Sequence, residues 1–241
     1  KKYFNANVAG TLEVLKFCVK HKVKKIVYAA SSSCYGISSD IPTSENSKIS
    51  TEYPYALTKK IAEDIIIHWN KVYKLNYISL RLFNVYGLRS RTNGNYGAVI
   101  GTFLGQKINN KPLTIVGNGK QKRDFIHVSD VVHAFYLSLK NSLKADIFNV
   151  GTGKPKTINY LASLISNEKV YIPWRPGEPK ITCANISKIK KKMFWKPTSK
   201  FESKILELIE NINYWRKAPV WTREKIKIAT KQWNLLLKKL K

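Results

Sequence analysis

The chain has 241 residues, 44% of them hydrophobic, enough to bury the core of one large or two small domains. No apolar run approaches the roughly 20 residues of a membrane-spanning helix and no secretory leader is visible; Cys18, Cys34 and Cys183 are scattered without a C-x-x-C pair, so reduced thiols, no metal site and a cytoplasmic protein are expected. A net charge of +28 raises nucleic acid as a partner, but the lysines are spread along the whole chain and only seven residues are arginine, which argues against it and for a solvated basic surface that attracts anionic small molecules.

In chain order, residues 5–21 place Val8, Leu12, Leu15 and Val19 on one stripe and predict a helix. Residues 24–30 form a short apolar run of strand type, closed by Ser31, Ser32 and Ser33. Residues 37–51 are polar, with Pro42 and several serines, and predict a loop. Residues 53–74 predict a long helix with Ala62, Ile66, Trp69 and Tyr73 on its apolar side. On it Tyr55 and Lys59 stand four residues apart and so share a face. An ammonium beside a phenol favours the phenolate, and Ser31, at the end of the preceding strand, can hold a substrate oxygen there. A tyrosine accepting a proton from an oxidisable alcohol suggests hydride transfer to a nicotinamide. A bare Y-x-x-x-K is weak, because a chain so rich in both residues produces it by chance roughly twice; the strand, serine cluster and helix around it raise its weight.

Residues 76–83 (NYISLRLF) predict the next strand, running into N-V-Y-G at Asn84. Residues 88–97 are rich in Gly and Asn and carry Arg89 and Arg91; 98–108, opening at Ala98 and Val99, predict a helix whose first N–H groups suit a phosphate or a carbonyl. A strand at 113–117 leads to R-D-F-I-H-V at Arg123, and 129–140 predict a helix capped by Ser129. A strand and glycine turn at 146–153, a helix at 157–166 and a strand at 170–172 lead to P-W-R-P-G-E-P at 173–179. After a W-x-P turn at 195–197, residues 201–215 are amphipathic, and 218–241 are basic, with Trp221, Ile226, Trp233, Leu236 and Leu237 available for packing.

Together, N-x-x-G-T at Asn7, the serine cluster before Tyr35-Gly36, Y-x-x-x-K, N-V-Y-G, R-D-F-I-H-V and R-P-G-E resemble the extended short-chain dehydrogenase/reductase family, and within it the nucleotide-sugar epimerases related to UDP-glucose 4-epimerase. The resemblance implies an α/β fold, a Rossmann-type doubly wound parallel sheet with a smaller C-terminal substrate-binding domain. It places residues 1–87 in the NAD-binding part, with about 125–153 returning to it, 88–217 mainly in the substrate part, and 218–241 in a helical tail. No G-x-x-G-x-x-G turn is present, so the first βα units are expected to be missing and the chain to be a fragment truncated at its N-terminus.

The implied catalytic residues are Ser31, Tyr55 and Lys59, which also face the NAD together with Asn7, Ala29 and Phe83. The implied substrate residues are Ser33, Asn84, Arg91, Ala98, Val99, Arg123, Arg175, Glu178 and Thr182, with Arg175 and Glu178 as the pair for diphosphate and ribose, Asp124 ordering its loop and Thr182 gating the C2 substituent of the sugar. Dehydratases of the family carry Asp-Glu where this chain has Ser32-Ser33, which favours C4 epimerisation of a UDP-hexose (UDP-glucose/galactose or their N-acetyl counterparts). A dehydratase or reductase of the same scaffold stays open, as does a non-catalytic nucleotide-sugar-binding protein, given the absent glycine turn. A homodimer is the expected assembly.

Overall fold

A computed structural model describes residues 1–90, 99–174 and 177–228. The chain opens in a π-helical segment, Phe4–Ala9, that continues into helix α1, Gly10–Lys20. The pair buries Val8, Leu15 and Cys18 and leaves Val19 exposed. The stripe read from the sequence had put Val19 inside; within α1 the face that buries Leu15 carries Cys18, three residues on, instead.

Strands β1 (Lys25–Ser31) and β2 (Asn76–Leu82) are parallel, pairing Lys25 with Asn76 and Ser31 with Leu82. Between them runs α2 (Pro54–Tyr73), which starts with proline at its first position and ends at Lys74 in the left-handed conformation. The helix therefore begins one residue after Tyr53, whose backbone is extended, as the residue before a proline prefers. Strand β7 (Ala145–Val150) completes a three-stranded parallel sheet in the order β1-β2-β7.

Side chains alternate across this sheet. Tyr77 faces α1 and α2 and joins Leu15, Cys18, Ile66 and Leu75 in one core. Ile78 and Leu80 face the other way, onto α4 (Val128–Lys140) and α6 (Ser187–Met193), in a core with Phe148, Val131, Ala134, Ile189 and the fully buried Trp195. Covered on both faces, the sheet has the doubly wound arrangement of parallel α/β proteins. The stretch from Ala184 to Trp195 thus packs against the sheet. The cap of α4 also differs from expectation: the helix begins at Val128, and the ring of His127 accepts the Ser129 N–H, because an imidazole nitrogen serves as well as a hydroxyl oxygen for an orphan donor.

A third core gathers α3 (Val99–Ile108), β4 (Leu113–Val116), α5 (Ile158–Ile165) and α7 (Phe201–Glu210) around Phe103, Leu104, Leu113, Ile115, Leu161, Ile205 and Trp215. Strand β9 (Lys169–Ile172) pairs parallel with β4. Two short ladders join the halves: β3 (Asn84–Tyr86) with β6 (Phe125–His127), and β5 (Lys122–Arg123) with β8 (Lys156–Thr157). Of the tail, 223–228 are helical, and Ile226 packs on Val116 and Ile172; Trp233, Leu236 and Leu237 lie outside the described residues. Among the described residues no helix is long and apolar enough to cross a membrane, and no group of His, Cys, Asp or Glu could hold a metal ion.

Candidate active site

Ser31 is the last residue of β1, at the carboxyl end of a parallel strand, where open α/β sheets bind ligands. The chain then tightens into a 3₁₀ turn, Ser32–Tyr35. Ser31 Oγ accepts the Ser33 N–H at 3.2 Å, and the two hydroxyls lie 2.8 Å apart. Gly36 closes the turn at φ +60°; a Cβ there would lie 2.2 Å from the Ser50 carbonyl oxygen, so only glycine fits. Cys34, buried in the same turn, is an inert thiol, pushed up to about 11 chiefly by that burial.

Tyr55 lies in the first turn of α2, partly exposed, with the ring of Tyr3 edge-on at 5.5 Å. Lys59, one turn on, holds its ammonium 4.3 Å above the centre of the Tyr28 ring, and the Tyr28 hydroxyl donates to the Lys59 carbonyl at 3.4 Å. Burial pulls Lys59 below the usual lysine range, against the opposing attraction of the Glu63 carboxylate. Asn7 donates from its side chain to Thr58 Oγ1 at 3.0 Å, joining the opening helical segment to α2. Ala29 is exposed on β1, and Phe83 is buried, its N–H bonded to the Val150 carbonyl.

Beneath Lys59 lies a network that reading the sequence had missed. Glu63, 1% exposed, accepts from Ser79 Oγ at 2.6 Å and from Arg81 Nη2 at 2.7 Å. Arg81, itself buried, donates on to the Tyr35 hydroxyl at 2.9 Å, which donates to Asn149 Oδ1 at 2.8 Å. A third bond runs from Arg81 to the Glu45 carbonyl at 3.3 Å. One ion pair thus ties the helix of Tyr55 and Lys59 to the turn of Ser31 and to the loop between them. Removing either partner alone would leave an unpaired buried charge. The signal was present as an arginine inside the apolar run YISLRLF and a glutamate on the apolar side of α2, since neither charge can be buried alone.

The residues expected on the substrate side group around Arg123 and Asp124. Arg123 is paired with Glu178 at 2.7 Å and lies below the usual arginine range through burial, which the Glu178 carboxylate opposes. At the head of α2, burial and then Tyr55 push the Tyr53 phenol up, while the Arg123 guanidinium pulls against them. Asp124 is fully buried and accepts from the N–H groups of Thr152 (2.7 Å), Gly153 (2.9 Å) and Ala184 (2.8 Å) and from the Thr152 hydroxyl. Thr182 accepts the Asp124 N–H at 3.2 Å and donates to Asn84 Oδ1 at 3.1 Å. Val99 opens α3. Glu178 is held by Arg123; Arg91, Ala98 and Arg175 lie outside the described residues.

NAD fits the part of the site that this chain supplies. Ser31 and the exposed small side chain of Ala29 lie at the open end of β1, and the half-buried Lys59 packs on Tyr28 of the same strand. Lys59 and Asn7 are the groups suited to hold the nicotinamide ribose, and the chain contains no glycine-rich turn for the pyrophosphate.

Comparison with known proteins agrees with this geometry. UDP-glucuronate 4-epimerase of Thermodesulfobacterium geofontis is 33% identical over 234 residues, 94% of this chain and 69% of that protein. dTDP-4-dehydro-6-deoxyglucose reductase of Escherichia coli is 35% identical over 86% of this chain and 67% of that protein. Other curated relatives are spanned to about 61–63% of their length. The solved structure of UDP-N-acetylglucosamine 4-epimerase from Methanobrevibacter ruminantium M1, in complex with UDP-N-acetylmuramic acid, matches 89% of this chain and 70% of its own with a TM-score of 0.82 at 32% identity. Residues 1–151 match the model of the NAD dependent epimerase/dehydratase family, and the chain belongs to that family.

Proposed function

We propose that the chain supplies the catalytic and substrate-binding parts of an NAD-dependent epimerase that inverts C4 of a UDP-hexose through a 4-keto sugar. The observation that carries this reading is Ser31 at the carboxyl end of β1 with Tyr55 and Lys59 in the opening turns of α2, whose Lys59 packs on Tyr28 of that same strand. Tyr55 takes the proton of the C4 hydroxyl and later returns it, and Ser31 holds the reacting oxygen. Lys59 supplies the positive charge that favours the phenolate. Bound NAD provides the two-electron acceptor and donor. Arg123 suits the diphosphate and Glu178 the ribose hydroxyls, so the nucleotide stays anchored while the planar keto sugar turns over and presents its other face.

Thr182 is the side chain we assign to the C2 side of the sugar; being small, it leaves room for an N-acetyl group. A second copy of the chain is the proposed partner, seated on the outer side of α1.

The test is Tyr55→Phe, which removes the proton acceptor and little contact area. Turnover of UDP-sugar is expected to vanish while UDP-sugar binding stays within about threefold, since the lost interaction is made in the transition state. Wild-type kcat in that variant refutes the mechanism. The reductase relative supports a second reading, which consumes reduced NAD in proportion to product. Steady absorbance at 340 nm during turnover (order of magnitude for reduced nicotinamide chemistry,) separates the epimerase from it.

A further inference from the structure

Trp174 is a large side chain that the reaction scheme above leaves unused. Its indole is 49% exposed, yet one edge is fixed. It lies on Gly117, which turns the chain at φ +62° directly after β4, and a Cβ on that glycine would stand 2.2–2.6 Å from the Cε2, Cδ2 and Cζ2 atoms of the indole. Any other residue in the turn would push the ring away. Gly117 N–H bonds the Ile172 carbonyl at 2.7 Å, so turn and tryptophan stand together at the carboxyl ends of two parallel strands, β4 and β9.

Its place along the site follows from the backbone. Residues 180–182 run beside β5, with Lys122 N–H on the Lys180 carbonyl at 2.8 Å and Thr182 N–H on the Lys122 carbonyl at 3.1 Å. Thr182 touches Asn84, Glu178 holds Arg123, and the same segment continues back to Trp174 on Gly117. With the reacting carbon at Tyr55, the diphosphate at Arg123 and the ribose at Glu178, the next group outward is the base. An aromatic face is the chemistry that receives it, since every base has a π-face to stack.

We propose that Trp174 is the stacking platform for the base of the nucleotide sugar, held in place by the Gly117 turn. The proposal rests on the nucleotide-sugar reading above. Calorimetric titration of the 241-residue chain with UDP, and separately with inorganic pyrophosphate, tests it in wild type, Trp174→Ala and Trp174→Phe. Trp174→Ala is expected to weaken UDP about tenfold or more and to leave pyrophosphate unchanged, and Trp174→Phe to stay within about threefold of wild type for both, because a phenyl ring still stacks. UDP bound as tightly by Trp174→Ala as by wild type overturns the assignment alone, and so does an equal loss of UDP and pyrophosphate. A wild-type chain that binds no UDP overturns the nucleotide-sugar reading and the assignment with it.

Discussion

At the scale of single residues, the polar atoms that surround the sugar position are already engaged. Thr182 gives its hydroxyl proton to Asn84 and receives the Asp124 N–H, so its small side chain is held in one rotamer with the methyl group left over. A tyrosine there adds a ring where a methyl stood and breaks both bonds. Thr182→Tyr is therefore expected to lower kcat/KM for N-acetyl UDP-sugars by about tenfold or more while sparing UDP-glucose, the discrimination a single steric clash provides. Competition kinetics on both sugars decides it; an equal loss for the two places the gate elsewhere. The bonds of Thr182 were not legible from sequence, because a threonine in a loop signals nothing about a partner 98 positions away. The placement of Ser31 at the end of a strand and of Tyr55 and Lys59 on the helix that follows was legible, because local pattern sets both elements. Glu178 was singled out in the sequence, but its ion pair with Arg123, 55 positions away, was not legible there.

At the scale of elements, α2 is the piece whose charge state matters. It lies on β1 with Lys59 pressed against Tyr28, in an environment that disfavours the ammonium. Because the folded-state pKa of Lys59 is below that of the unfolded chain, the unfolded chain binds more protons between the two values. Stability from this group is thus least below the folded pKa and rises as pH climbs through that window toward about 10.4, the ordinary value for lysine. Lys59→Met removes the dependence. Urea midpoints followed from neutral pH up to about 10.4, the ordinary lysine value, are expected to show a smaller alkaline gain in Lys59→Met than in wild type; identical gains exclude Lys59 as the source. The helices and central strands themselves could be read from apolar periodicity. What periodicity could not reveal was the π-helical segment before α1, the imidazole cap of α4, or the Arg81–Glu63 pair, each of which depends on a partner or a turn geometry that hydrophobic spacing does not encode.

At the scale of the whole molecule, two observations decide what can be built from it. The outer face of α1 leaves Val14 and Phe17 exposed, one turn apart, and a two-fold axis there lets each copy cover the same patch on the other. The chain is expected to sediment at twice its mass of 27.6 kDa, and Phe17→Glu at the single mass; a wild-type monomer at micromolar concentration (roughly the range for a specific dimer,) rejects the assembly. The other observation is Asp124, whose carboxylate gathers donors from Thr152, Gly153 and Ala184, while Thr43 bridges to Ala184 from the loop before α2. Recombination between relatives is constrained accordingly. A chimera joined at a single loop inherits the carboxylate from one parent and its donors from another, and the two backbones must agree at four separated places. A substrate side transplanted with a new sugar preference has to travel as a set of segments, around 43, 124, 152 and 184, and never as one contiguous cassette.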